Sequence, residues 1–250
     1  MNMNKNKINK KEKQDFAAKK DANLVSDLFS EDIKKIPTRD GFGEGLVILG
    51  EKDKNVVVLC ADLSESTRAL NFKKKFPERF VQVGVAEQNL AALAAGMEAA
   101  GKIPFITSYA MFSPGRNWEQ IRTTIAYSGR NVKIAGAHCG ISVGPDGATH
   151  QALEDIAITR VIPKMTVVVP CDYIETRKAT VAIGKMKGPA YIRFAREKTP
   201  SFTTEKTPFM IGKAQTLLDG KDVCIIGCGP ILHEALKAAA KLKKEKISAG

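Results

Sequence analysis

Phe80 to Met97, FVQVGVAEQNLAALAAGM, is the stretch on which the reading of this chain turns. Val81, Val83 and Val85 are β-branched and alternate, which predicts a short strand. Leu90, Ala91, Leu93, Ala94 and Met97 then repeat at helical spacing. Gly84 breaks the two patterns, and Glu87 falls at the strand-to-helix junction between apolar neighbours. A carboxylate there is costly to desolvate unless it has a partner. Taken alone, Glu87 has a bland alternative as a first-turn acid favoured by the helix macrodipole.

The same alternation continues on either side. Val56–Cys60, Phe80–Val83, Ile103–Thr107, Val132–Ala137, Thr166–Pro170 and Ala190–Phe194 read as buried strands. Stretches around 40–50, 88–100, 116–128, 151–160 and 174–186 read as helices. Alternation at this spacing predicts an α/β fold, a parallel sheet with helices on both faces. Before it, residues 1–36 form a basic N-terminal segment, expected to be disordered or frayed to about Asp21. Leu24, Val25, Leu28, Phe29 and Ile33 could make a short amphipathic piece leading to Pro37. The main domain is expected over 37–200 and a linker over 201–212. A second α/β unit begins at 213, with Ala214–Leu218, a turn at Asp219-Gly220, strand Val223–Ile226 and helix Ile231–Lys243. That unit is expected to be truncated at Gly250, because one strand and one helix cannot close a sheet.

The composition, 44% hydrophobic and 26% charged, is that of an ordinary soluble protein, and no run reaches the length of a membrane span. The net charge of +12 raises the question of nucleic acid. Seven lysines, set against Glu12 and Asp15, crowd the first twenty residues, and the single aromatic among them, Phe16, does not make a stacking platform. A solvated basic surface is the better reading, and it also suits anionic substrates. Cys60, Cys139, Cys171, Cys224 and Cys228 are odd in number and irregularly spaced, which predicts free thiols, a cytoplasmic setting and no metal site.

A second dense constellation is Gly136–Glu154, GAHCGISVGPDGATHQALE. A strand delivers His138 at its carboxyl end, the edge where ligands bind in open α/β sheets. Asp146, Gly147, Thr149 and His150 then stand at the expected start of a helix. Singly, Asp146 could be a turn residue and His150 a polar helix-start group.

Together these motifs resemble the transketolase family, in order and spacing. They are Thr38-Arg39, ADLxxS at Ala61–Ser66, GVxEQ at Gly84–Gln88, HxxIxVGxDGxTHQ at His138–Gln151, and FAR at Phe194–Arg196. The resemblance covers about Pro37 to Pro200, and the tail is similar to the start of the family's third domain. It implies thiamine diphosphate as cofactor and Glu87 as the acid that activates its aminopyrimidine. Tyr109 and Phe112 would hold the pyrimidine ring, and Asp62 and Leu63 would face the thiazolium. Asp146 would read a substrate hydroxyl, and His150 would assist proton transfer or orient the donor. Arg39, Ser66, His138 and Arg196 would receive the acceptor's phosphate.

The family binds the cofactor's diphosphate and a divalent metal, Mg²⁺ or Ca²⁺, through a G-D-G…N motif on a separate N-terminal domain. No such motif is present, so the chain resembles the second subunit of a split transketolase. Its implied partners are an N-terminal subunit, a second copy of itself and sugar phosphates, with neither nucleic acid nor membrane. Two positions depart from the family pattern: Gln88 where histidine is frequent, and Gly115 where a third aromatic is expected. Other readings stay open on residues alone. They are a 1-deoxyxylulose-5-phosphate synthase-like enzyme, a 2-oxo acid dehydrogenase β subunit, a non-catalytic partner of the same fold, and a nucleic-acid-binding protein.

Overall fold

A computed structural model describes residues 18–250; the expectation of disorder or fraying before about Asp21 lies almost wholly outside them. The strands in chain order are β1 (Lys35–Pro37), β2 (Val56–Cys60), β3 (Phe80–Gln82), β4 (Ile103–Tyr109), β5 (Lys133–Ala137), β6 (Thr166–Val168), β7 (Ala190–Arg193) and β8 (Lys198–Pro200). The helices are α1 (Thr38–Lys52), α2 (Leu70–Lys75), α3 (Glu87–Ala99), α4 (Trp118–Gln120), α5 (Asp155–Arg160), α6 (Tyr173–Lys185) and α7 (Ile231–Lys244). Beyond α4 the chain continues as a π-helix over Ile121–Tyr127.

Six strands form one sheet in the order β3-β2-β4-β5-β7-β6, and every pairing in it is parallel. Alternate residues of β2 enter opposite cores, as the period of a strand requires. Val56 and Val58 pack with Phe42, Leu46 and Leu49 of α1, Phe72 of α2 and Ile183 of α6. Val57 and Leu59 pack with Leu90, Ala91 and Ala94 of α3 and with Ile121 and Ile125 of the π-helix. The expected parallel sheet with helices on both faces is therefore present.

Several local expectations are corrected. β3 stops at Gln82, and Val85, expected within the strand pattern, is 77% exposed. Gly84, at φ 73°, turns the chain out of the sheet before α3 begins at Glu87. His150 does not start a helix: it ends a single 3-10 turn, Ala148–His150, and α5 begins only at Asp155. The left-handed Gly144 and Gly147 on either side of Pro145 keep this segment irregular. Residues 24–33 make turns, and Leu24, Val25, Leu28, Phe29 and Ile33 enter a core with α7. In the C-terminal unit the helix forms as α7, but Val223–Ile226 is not a strand. Val223 makes only a one-residue bridge to Ala249, because no neighbouring strand among the described residues extends the ladder.

Two long-range ties hold the edges of the fold. β1 and β8 pair antiparallel, joining the entry and exit of the main domain. Asp172, the buried N-cap of α6, accepts hydrogen bonds from Glu175 N, Thr203 Oγ1, Phe202 N and Thr203 N at 2.7–2.9 Å. The segment after β8 is therefore fastened to a helix end.

Candidate active site

The site lies at the carboxyl ends of β2, β4 and β5, where open parallel sheets bind ligands. Asp62 and His138 follow β2 and β5 with φ of 58° and 56°, left-handed conformations that redirect the chain as it leaves the sheet. Arg39 and Arg196 are brought together by the backbone. Ala195 N donates to Thr38 Oγ1 at 2.8 Å, and Arg39 N donates to Ala195 O at 3.3 Å. The Thr-Arg and Phe-Ala-Arg motifs, distant in sequence, are thus one structural unit.

Around them gather most of the expected site residues. Arg39 Nη1 lies 3.4 Å from His138 Nε2 and donates to Ser66 O at 3.1 Å, so Ser66 offers its carbonyl. Arg196 Nη1 donates to Val143 O at 3.3 Å and lies 3.6 Å from Asp146 Oδ2. The Tyr109 ring stacks on His138 with centroids 4.1 Å apart. Phe112 meets the edge of His150 at 5.2 Å, and Tyr109 meets it at 5.9 Å. Leu63 and Phe112 pack on the adjacent core, and Asp62 exchanges two 3.1 Å hydrogen bonds with Gln82. Gln82 was not singled out in the sequence, since nothing local marks a strand-end glutamine as an aspartate's partner.

Burial and neighbouring charges act on His138 and Arg39. Burial, then the Arg39 and Arg196 guanidiniums, push His138 down to about 4 from its usual 6.5. Burial, and next Arg68, also lower Arg39. His138 is consequently a neutral imidazole at pH 7 beside cationic groups, a surface suited to anions. A stability effect follows. Between pH 4 and 6.5 the unfolded chain carries a proton on this imidazole that the folded chain refuses. Unfolding free energy therefore falls as pH drops through that window, by up to roughly 3 kcal/mol, with no contribution above it. Urea denaturation at pH 4.5 and 7 should show a smaller pH effect in His138→Asn, since asparagine tolerates the left-handed backbone. Equal pH effects in the two proteins would contradict this.

Glu87 opens α3 and is 2% exposed, yet its Oε2 is buried without a hydrogen-bond partner. Such an atom costs free energy unless something else satisfies it. Its backbone carbonyl accepts from Asn117 Nδ2 at 3.0 Å, and the same amide lies 3.2 Å from Ser113 Oγ, next to Phe112. Asn117, also missed in the sequence, thus joins the acid to the aromatic loop. At Gly115 a Cβ would fall 1.9 Å from Met111 O, so no side chain of any kind fits where a third aromatic was expected.

The family model for the transketolase pyrimidine binding domain matches residues 34–201, and that for the transketolase C-terminal domain matches 212–250. The chain belongs to the transketolase family. A Methanocaldococcus jannaschii protein named as a transketolase C-terminal section is 50% identical over 213 residues, 84% of this chain and 67% of that protein. Human transketolase is 39% identical over 86% of this chain, which spans only 34% of the human enzyme. Among solved structures, a split gene transketolase described as an inactive beta4 tetramer superposes with a TM-score of 0.79 at 44% identity. That match covers 86% of this chain and 70% of the other. The sheet and its helices are accordingly those of a transketolase pyrimidine domain, which implies thiamine diphosphate. The residues fit that group: the unpartnered Glu87 oxygen needs a polar partner, and Asn117 ties Glu87 to the loop that carries Phe112. Among the described residues no three His, Cys, Asp or Glu side chains gather to hold a metal ion. No helix among them is long and apolar enough to cross a membrane.

Proposed function

We propose that this chain supplies the pyrimidine-side half of a transketolase active site, transferring a two-carbon ketol unit between sugar phosphates. The observation that carries this reading is the buried, unpartnered Oε2 of Glu87 at the start of α3. An isolated carboxyl of that kind is retained where a ligand completes it. Thiamine diphosphate, when bound, supplies the electron sink that lets a carbon–carbon bond beside a carbonyl break and re-form. Glu87 holds or yields the proton at the aminopyrimidine, while Tyr109 and Phe112 present ring faces and Leu63 and Asp62 border the thiazolium side. Asp146 and His150 orient the donor and assist proton movement on its hydroxyls. Arg39, Arg196, neutral His138 and the Ser66 carbonyl line the mouth, where the guanidiniums bind the acceptor's phosphate.

The diphosphate and its Mg²⁺ or Ca²⁺ are held mainly by an N-terminal partner subunit in this reading. Relatives named as a C-terminal section and as a split gene product support it. Self-association is supported by the tetramer that one of them forms. The buried, unpaired thiols of Cys60, Cys139 and Cys171 suit a cytoplasmic setting.

The experiment that tests the function supplies a ketose phosphate donor and an aldose phosphate acceptor to the assembled enzyme. Mass spectrometry should show the acceptor lengthened by two carbons; an unchanged acceptor contradicts the reading. In the same assay Arg196→Ala should raise KM for a phosphorylated acceptor by roughly ten- to a hundred-fold with kcat much less affected, as loss of one charged hydrogen-bond partner does. Equal weakening toward phosphorylated and unphosphorylated acceptors would make Arg196 a structural residue.

A further inference from the structure

We propose that Asp155 is a positioning residue for the loop carrying Asp146 and His150, acting through Tyr191 and Arg193. Its importance to catalysis rests on the reading above that this loop meets the donor sugar. Asp155 ends the loop as the first residue of α5, and its side chain is wholly buried. Its Oδ2 accepts from Tyr191 Oη at 2.6 Å and from Arg193 Nε at 2.8 Å. Both donors come from β7, the neighbour of β5.

The loop's other stem rests on the same strand end. Cys139 N and Sγ approach Phe194 O at 3.5 and 3.3 Å, and Gly140 N donates to Ala152 O at 2.8 Å, drawing the two stems together. A side chain at Gly140 would stand 3.4 Å from Arg193 Nη2. Gly136 leaves the space that lets the tyrosine hydroxyl reach across: a Cβ there would fall 2.2 Å from Tyr191 Oη. Between the stems Ile141 and Leu153 are exposed, and Val143 is the buried anchor. The loop has no ladder of its own; Arg196 holds its middle at Val143 O and Asp146, and Asp155 holds its end.

A buried ionic network is a poor way to gain stability, since apolar packing of equal volume often does as well or better. What it supplies is fixed geometry. Removing one donor frees the loop end while leaving the cores on both sheet faces largely intact.

The test uses Tyr191→Phe, which leaves the loop sequence unaltered. In the chain alone, glutamyl endopeptidase should cut after the exposed Glu154 about ten times faster or more than in wild type. Cutting after Glu205, exposed and paired with Arg177 of α6, should be unchanged. In the assembled enzyme, kcat/KM for the donor should fall roughly tenfold or more. Exchange of the cofactor's C2 proton, which depends on Glu87, should stay within about twofold of wild type. Equal changes at Glu154 and Glu205, or none at either, would overturn the proposal. A Tyr191→Phe chain that does not fold would overturn it too, by assigning the network to global stability. If wild-type enzyme transfers no ketol unit, the functional reading fails instead, and the cleavage rates still decide whether Asp155 pins the loop.

Discussion

Replacing Glu87 with glutamine in the assembled enzyme is expected to lower ketol transfer by at least roughly a hundred-fold, because positioned acid–base groups contribute about 10² to 10⁴ in rate. Glutamine matches glutamate in size, and the backbone carbonyl that Asn117 grips is untouched. The pocket and the start of α3 should therefore survive, as thermal unfolding would verify. What disappears is a carboxyl that can hold or release a proton at a buried position. Exchange of the thiazolium C2 proton with deuterated solvent should slow in parallel with turnover. Cofactor affinity should fall far less, since in this account the diphosphate is held by the partner. Wild-type C2 exchange in Glu87→Gln would reduce Glu87 to a helix-start carboxylate.

The second large effect concerns stability. Asp172→Ala removes the acceptor of four hydrogen bonds, three of them from backbone N–H groups. Phe202 and Thr203 are buried, so their donors are left without water as well as without the carboxylate. A loss of about 3–5 kcal/mol is expected from the unfolding free energy. For a chain of this size that lowers Tm by roughly 10 °C. Asp172→Asn, which keeps one acceptor oxygen, should lose distinctly less. Denaturation curves for Asp172→Ala that overlay the wild type would mean that the segment after β8 is held by its apolar contacts alone.

The six central strands were legible because each contains a β-branched or apolar run, and burial on both faces makes such runs nearly continuous in β2, β4 and β5. α3 was legible through the spacing of Leu90, Ala91 and Ala94. β1 and β8 were not: Lys-Ile-Pro and Lys-Thr-Pro are too short to alternate, and only their pairing across the domain makes them strands. The π-helix escaped because its buried isoleucines, Ile121 and Ile125, stand four residues apart, a spacing that an α-helix also places on one face. Val223–Ile226 looked like a strand on β-propensity, which expresses neighbours as much as the residue itself.

At the site, Glu87, the Gly136–Glu154 constellation and the separated arginines could be picked out as residue types in suggestive places. Their convergence could not be derived from local pattern. The Thr38–Ala195 contact that joins Arg39 to Arg196 spans most of the domain, and Tyr109 stacks on His138 only because β4 and β5 are neighbours. Nor could the sequence reveal that Ser66 contributes a carbonyl, since that depends on which way the turn after β2 faces. The resemblance named the residues; their burial and mutual distances give the physical reason they can act together.

We propose that Glu87 completes an active site whose cofactor-anchoring half lies on another chain. It is tested most directly by measuring ketol transfer from xylulose 5-phosphate in thiamine diphosphate and Mg²⁺, using this chain, a transketolase N-terminal section, and their mixture. Activity is expected in the mixture, and background rates for either chain alone. Robust transfer by this chain alone, shown by mass spectrometry to be free of a second protein, would contradict it.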